Sequence, residues 1–412
     1  DAAAGRFRLA TARGRARVSI AVVQRAARHG RQVAIVDGAG EHGYAALLAA
    51  ARRAAHALLG DEPDLAEARV AFMVEPGFDY VATQWAIWLA GGVAVPLCLS
   101  HPDPELEYVL DDTGATLVVA SPSFTQRVGR LAASRGARLL VTGTGADGSA
   151  DALPVIAAER RAMILYTSGT TSRPKGVVTT HANLDAQIES LVRAWEWTSD
   201  DRILHVLPLH HTHGIVNALL CALGAGATCD MMPRFDAEAV WRRFAVGDLT
   251  LFMAVPTIYV KLIQAWQHMP ADVRARISDA CRSMRLMVSG SAALPVSTFE
   301  GWRAITGHTL LERYGMTEIG MALSNPLHGE RRPGHVGTPL PGVHVRLVAE
   351  DGTPVAPGTS GEIEVRGPGV FIEYWGRPVE TVAAFRDGWF RTGDVAVVED
   401  GVYRILGRSS VD

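Results

Sequence analysis

The chain has 412 residues, a formal net charge of −3 and 48% hydrophobic residues. That length exceeds what one core usually holds, so two or three packed substructures are expected, and a near-balanced charge without a basic stripe argues against a nucleic-acid partner. The four cysteines, Cys98, Cys221, Cys229 and Cys281, are scattered without paired metal spacing. They read as buried thiols of a reducing compartment rather than as a disulfide framework.

Residues 1–17 carry Arg6, Arg8, Arg13, Arg15 and Arg17 against the single acid Asp1. This composition fits an organelle transit segment, and it equally fits a frayed basic terminus. With the cysteine pattern it makes the mitochondrial matrix the expected location. The chain has no initiator methionine, which fits a trimmed start.

Residues 44–59 are rich in Ala, Leu and Arg and are followed by Gly60, which predicts a helix with a glycine stop. Residues 70–74 are a short apolar run of strand type. Residues 80–100 carry no charged side chain, a length that suits a membrane span. Gly91-Gly92 splits the run and Pro96 sits in its second half, so a buried helix over 80–90 and a strand over 93–97 are predicted instead, and no membrane span. Residues 116–120 and 138–141 repeat the strand signal. Helices alternating with short apolar strands imply a parallel sheet covered on both faces. The run Gly143-Thr144-Gly145-Ala146-Asp147-Gly148 spells a dinucleotide fingerprint literally. It is followed by Ser149 to Pro154 and not by a helix opening, so it reads as a flexible connector.

A second α/β region is expected over 186–330, with strands at 203–207, 251–255 and 286–289 and a helix at 272–284. Beyond 331 the texture changes to period-two alternation at 343–348 and 362–366. Asp400-Gly401 joins 395–398 to 402–406 as a hairpin. This part is predicted to be a small β-barrel.

Four motifs carry the chemistry. Tyr166-Thr167-Ser168-Gly169-Thr170-Thr171-Ser172-Arg173-Pro174-Lys175-Gly176 follows the apolar run Met163-Ile164-Leu165. It supplies backbone N–H groups, hydroxyls and one ammonium that can surround a polyphosphate. It is not a Walker A loop, which needs Gly-Lys-Ser/Thr at its end. Glu312-Arg313-Tyr314-Gly315-Met316-Thr317-Glu318 offers a flat ring for a base, a hydroxyl for phosphate and a hard oxygen ligand suited to Mg²⁺. In Trp389-Phe390-Arg391-Thr392-Gly393-Asp394 one carboxylate can accept from both ribose hydroxyls. Gly407-Arg408-Ser409-Ser410-Val411-Asp412 follows it. Pro208-Leu209-His210-His211-Thr212-His213-Gly214 invites a metal reading, but no third or fourth ligand stands nearby in sequence. Ser172-Arg173-Pro174-Lys175 spells the SxxK of serine acylases, whose companion motifs do not occur.

In order and spacing these motifs resemble those of the adenylate-forming superfamily of acyl-CoA synthetases, luciferases and peptide-synthetase adenylation domains, over about residues 30–412. Ser172 departs from the glycine usual there. The resemblance implies an α/β fold of two subdomains with mostly parallel sheets covered by helices, plus a small β-barrel. The ranges are 1–17 for the basic segment, 18–185 for the first subdomain with the phosphate loop and 186–330 for the second, with the acyl pocket and the adenine and metal motif. The barrel covers 331–408, and the hinge 409–412. It implies ATP and AMP binding by Thr167, Ser168, Gly169, Thr170, Thr171, Lys175, Tyr314, Gly315, Met316, Thr317, Asp394 and Arg408. It also implies catalysis through Lys175, Thr317, Glu318 and His211, with His211 gating the acyl pocket and Glu318 holding Mg²⁺. ATP, Mg²⁺ and CoA are the expected small-molecule participants, with no prosthetic group. In the superfamily a mobile lid domain follows the hinge; since the sequence stops at Asp412, the expectation is an otherwise complete site that turns over poorly.

Residues 203–325 look closest to malonyl-CoA synthetases, through His211-Thr212-His213-Gly214, Met232-Pro233-Arg234-Phe235, the run Arg285 to Pro295, and Tyr314 to Glu318. Malonate has a second carboxylate, which is costly to bury unpaired and which an arginine matches with a two-pronged hydrogen bond. Arg285 and Arg234 are the candidates for it, with Ser289 as a further donor. Thr212 and Met316 would set the room at C2, leaving methylmalonate as a secondary substrate. The alternatives are a ligase for another small carboxylic acid and a non-catalytic nucleotide-binding module.

Overall fold

The computed structural model describes residues 20–143, 152–167 and 173–409. The glycine-rich connector at 144–151 and the centre of the phosphate loop at 168–172 lie outside these residues, as do 1–19 and 410–412. Among the described residues no helix is long and apolar enough to cross a membrane.

Two large sheets form the body. In the seven-stranded sheet, Arg69–Met73 lies at the centre between Val93–Pro96 and Leu117–Ala120. Arg161–Tyr166 and Arg138–Val141 extend it in parallel. Beyond their first residues Arg69–Met73 and Arg161–Tyr166 are apolar and largely buried, as are Val93–Pro96 and Leu117–Ala120, because helices cover the sheet. The Phe78–Leu89 helix shows why residues 80–100 carry no charge: Trp85, Ile87 and Trp88 have no exposed surface, and the Trp88 indole donates to the Ala162 carbonyl at 2.7 Å. The Tyr44–Leu59 helix packs beside it and ends at Gly60, whose φ of 58° suits glycine.

The nine-stranded sheet has a parallel centre. Arg202–His205, Thr228–Met231, Leu251–Ala254, Leu286–Ser289 and Leu311–Met316 run the same way. Two strands cross the divisions drawn from sequence ranges. Val33–Asp37, near the start of the chain, pairs in parallel with Thr228–Met231 in this second sheet. Glu373–Tyr374, from beyond residue 331, pairs with Gly176–Thr180 in the first. The expected small barrel takes the form of a curled five-stranded antiparallel sheet, built from His344–Val348, Gly361–Arg366, Phe385–Arg386, Trp389–Glu399 and Val402–Arg408.

Between the second sheet and its helices lies an aromatic core. Trp241 and Trp302 stack at 5.4 Å, and Tyr259 meets Trp302 edge-on at 4.8 Å. Each buried polar edge is satisfied: the Trp241 indole donates to the Leu262 carbonyl at 2.8 Å and the Tyr259 hydroxyl to the Val288 carbonyl at 2.8 Å. This fixes the Leu286–Ser289 strand, and with it Ser289 at the strand's C-terminal end.

Candidate active site

In open α/β sheets, ligands bind at the carboxyl ends of parallel strands. The Tyr166–Gly176 loop, the Tyr314–Glu318 turn and the histidine motif sit at those ends here. The phosphate loop connects Arg161–Tyr166 to Gly176–Thr180, an antiparallel pair in which Tyr166 faces Gly176. Its base is pinned from several sides. The Thr167 N–H donates to the Lys175 carbonyl at 3.1 Å, the Tyr108 hydroxyl to the Pro174 carbonyl at 2.7 Å, and the Trp375 N–H to the Gly176 carbonyl at 2.7 Å. The Tyr166 hydroxyl donates to Asp112 at 2.7 Å, and Arg377 donates to the other oxygen of Asp112 at 2.6 Å. Gly176 is required by close approach: a Cβ there would meet Ile164 at 2.8 Å and the Tyr166 ring at 3.2 Å. Ser168, Gly169, Thr170, Thr171 and Ser172 lie outside the described residues.

The second motif is a tight hairpin. Leu311–Met316 turns through Thr317, Glu318 and Ile319 into Gly320–Ser324, with Met316 opposite Gly320. Gly315 is there because a Cβ would collide with the Gly320 carbonyl. Glu318 is buried, and its Oε1 accepts from the Tyr374 hydroxyl at 2.9 Å. Its Oε2 is buried without a hydrogen-bond partner among the described residues. Burial pushes the Glu318 carboxyl above the usual range, against the lowering effects of its own backbone N–H, Tyr374, Arg408 and Lys175. The Lys175 ammonium lies 4.6 Å from the centre of the Tyr374 ring, so Lys175, Tyr374 and Glu318 form one cluster.

The third motif joins the second directly. The Tyr314 hydroxyl donates to Asp394 Oδ2 at 2.6 Å, and Arg408 Nε donates to Oδ1 at 3.2 Å. The Asp394 N–H donates to the Thr392 hydroxyl at 3.0 Å, which holds the carboxylate on this side of the curled sheet.

The acyl-pocket motif follows the end of Arg202–His205. Thr212 and Val216 meet Thr317, Leu165, Val177, Thr179 and Gln187 in a narrow crevice, so both large sheets contribute to one cleft. His213–Leu220 is a π-helix, fully buried. Gly214 is forced by the carbonyl of Pro208, which a Cβ would strike. Burial pushes the His211 imidazole down to about 4, helped by repulsion from His210 and His101, so it is neutral at neutral pH. Ser289 is buried with its hydroxyl unpartnered among the described residues, as a group awaiting a polar ligand would be.

The two candidate arginines part company. Arg234 is exposed, three positions past the end of Thr228–Met231 and therefore at the carboxyl edge with Ser289 and the histidine motif. It makes no hydrogen bond or ion pair with the described residues. Arg285 precedes the first residue of Leu286–Ser289 and so lies at the opposite edge. Its guanidinium is fully engaged: it bonds both Asp201 oxygens at 2.7 and 2.6 Å and the Trp195 carbonyl at 2.7 Å. Burial raises the Asp201 carboxyl, but Arg285, the Thr198 N–H and the Thr250 hydroxyl together hold it below its ordinary value. The structure does not bring Arg285 to the cleft.

Three residues of the cluster carry no signal in the motif reading. Tyr374, Asp112 and Arg313 stand far from it in sequence or are hidden inside it. The paired aromatics Tyr374-Trp375, flanked by Gly367, Gly369 and Gly376, are the feature that points to the first. Arg313 is buried beside Ser291, to whose hydroxyl it donates at 3.4 Å, and Ser291 contacts His213 Nδ1 at 3.3 Å. Burial lowers the Arg313 guanidinium to about 9.

Glu312, in the same motif, has a measurable signature. Burial pushes its carboxyl from 4.5 up to about 7, against the lowering effects of the Gly334 N–H and His335. The folded state therefore holds the proton to higher pH than the unfolded state. Wild-type stability relative to Glu312→Gln is expected to fall as pH rises from about 4.5 to about 7 and to level off beyond, by roughly 3 kcal/mol. Melting temperatures of the two proteins across that range are the check; a constant difference would show that Glu312 is ionised in the fold.

These features define a nucleotide-dependent adenylating fold, and the comparisons give its family. The AMP-binding enzyme family matches residues 22–375, and the chain belongs to that family. The mitochondrial malonate–CoA ligase ACSF3 of Mus musculus is 48% identical, over 96% of this chain and 74% of that protein. The crystal structure of apo MatB from Rhodopseudomonas palustris superposes with a TM-score of 0.86 at 37% identity, covering 95% of this chain and 79% of that one. A malonyl-CoA ligase product complex with methylmalonyl-CoA and AMP bound superposes with a TM-score of 0.79 at 36% identity, covering 93% and 79%.

Proposed function

We propose that this protein is an ATP-dependent malonate–CoA ligase working through a malonyl-AMP intermediate. The observation that carries the adenylation step is the buried Glu318 carboxylate, one oxygen fixed by Tyr374 and the other without a partner among the described residues, beside Lys175 and the Tyr314–Asp394–Arg408 cluster. The malonate assignment is supported by the relatives' names and by Arg234, exposed at the cleft edge and without an ion-pair partner among the described residues.

A malonate oxygen attacks the α-phosphorus of ATP and the bond to pyrophosphate breaks. The CoA sulfur then attacks the acyl carbon, its proton is lost and AMP leaves. Lys175 places positive charge against the phosphates, and Thr317 offers them a hydroxyl. Asp394 exchanges the Tyr314 hydroxyl for those of ribose, leaving the Tyr314 ring to face the base. His211, being neutral, can turn at the pocket mouth without bringing a charge there. The hard Oε2 of Glu318, without a partner among the described residues, fits a divalent cation, and Glu318 would hold Mg²⁺. Bound Mg²⁺ neutralises polyphosphate charge. Arg234 pairs the distal carboxylate, with Ser289 as a further donor; Thr212 and Met316 set the room that would admit methylmalonate.

Pyrophosphate exchange across a panel of acids tests this reading. Malonate should support exchange best, methylmalonate next and acetate poorly. A different preferred acid would reassign the substrate, and ATP binding without exchange for any acid would leave only a nucleotide-binding module. The relatives' mitochondrial names support the same organelle, and the matrix is our proposed compartment. A tagged precursor recovered outside the matrix fraction would remove that assignment.

A further inference from the structure

A loop far away in sequence brings two further donors to His210 of the histidine motif. Cys98 and His101 follow the Val93–Pro96 strand, and His210 follows the Arg202–His205 strand. One donor atom from each of Cys98, His101 and His210 lies within 4.8 Å of the other two, the one such group of metal-ligating side chains among the described residues. Zinc bonds of about 2.0–2.3 Å put neighbouring donors roughly 3.5 Å apart, so modest side-chain rotation completes the set. Cys98 is buried and both imidazoles are partly exposed, which gives an ion a way in.

The surroundings match the donors. Glu105 Oε2 lies 3.1 Å from His101 Nδ1, an acceptor that fixes the ring and leaves Nε2 as the ligating nitrogen. Ser100 Oγ is 3.3 Å from Cys98 Sγ, where its hydroxyl can donate to a thiolate. One thiolate and two neutral imidazoles suit Zn²⁺ and not Mg²⁺, so this group is chemically separate from the Glu318 oxygen site. Three protein ligands leave a fourth position open. The His210 ring lies 4.1 Å from that of His211, so an ion here is one ring away from the pocket histidine.

The geometry points to a Zn²⁺ site formed by Cys98, His101 and His210 at the mouth of the acyl pocket. Cobalt substitution reads it without using activity. The purified protein should take up one equivalent of Co²⁺ with a near-ultraviolet thiolate charge-transfer band, and Cys98→Ser should abolish that band. Competition against a chromophoric chelator should show Zn²⁺ affinity falling at least tenfold in His101→Ala and in His210→Ala. His101 is partly exposed on a loop, so its variant remains folded even if Cys98→Ser does not. A wild-type protein without the band, or Zn²⁺ affinity unchanged in His101→Ala, overturns the assignment.

Discussion

Glu318→Gln should lower malonate-dependent pyrophosphate release at least a hundredfold, about 2.7 kcal/mol of barrier. Glutamine keeps an oxygen for the Tyr374 hydroxyl, so the hairpin stays in place. What disappears is the negative charge at Oε2, the one buried carboxylate oxygen of the cleft without a partner among the described residues. Lys175→Met should fall by a similar factor, because its ammonium is the cation that stands over Tyr374 beside Glu318. Stopped-flow or coupled pyrophosphate assays, with circular dichroism to show that the fold is intact, give the measurement. Near-normal release in both folded variants would mean that adenylation is not carried out here.

The second large effect separates two arginines by the kind of damage each causes. Arg234→Met should cut kcat/KM for malonate about a hundredfold while changing acetate little, because only malonate has a second carboxylate to leave unpaired. Arg285→Met should show no such discrimination. It strands Asp201, which is 3% exposed, in the fold and leaves the Trp195 carbonyl short of a donor. Removing one partner of a buried ion pair costs about 3–5 kcal/mol, so this variant should melt well below wild type and use both acids in unchanged ratio. Because Asp201 is held below its ordinary value, the pair's contribution is present above the unfolded carboxylate range and is lost as pH falls through the folded one. The stability gap between wild type and Arg285→Met should therefore narrow in acid. An Arg285→Met protein of normal stability that discriminates against malonate would reverse the assignment of the two residues.

What the sequence made legible follows from local physics. The Tyr44–Leu59 helix lies where its alanines and leucines and the Gly60 stop placed it, and Leu286–Ser289 has the bounds its apolar run suggested. The motifs around Tyr314 and Asp394, read as separate in the sequence, meet through a hydrogen bond. The rest depends on long-range pairing. Thr228–Met231 includes Cys229 and Asp230, the latter held by Arg243 at 2.7 Å, so its strand character was hidden by a polar residue with a distant partner. Arg285 adjoins the Leu286–Ser289 strand in sequence, but at the edge away from Ser289, where it pairs with Asp201. An extended strand carries its two ends to opposite edges of a sheet, about 13 Å apart over four residues. Tyr374 reached Glu318 only through a strand that returns from the curled sheet to the first large sheet.

The Val33–Asp37 strand has a consequence for synthesis of the chain. Its partner is Thr228–Met231, and the hydroxyl of Thr228 donates to the Val33 carbonyl across 195 positions. Tyr44 donates likewise to the Ala227 carbonyl across 183. On the ribosome, Val33–Asp37 therefore emerges with an unsatisfied edge and must wait while those intervening positions are translated. At elongation rates of about 5–20 residues per second, the wait is on the order of ten seconds or more, far longer than a hairpin needs to form. Throughout it, the apolar edge of Val33–Asp37 is available to the wrong strand or to another nascent chain. Closing that edge is therefore a late step in any folding that proceeds from the N-terminal end of the chain.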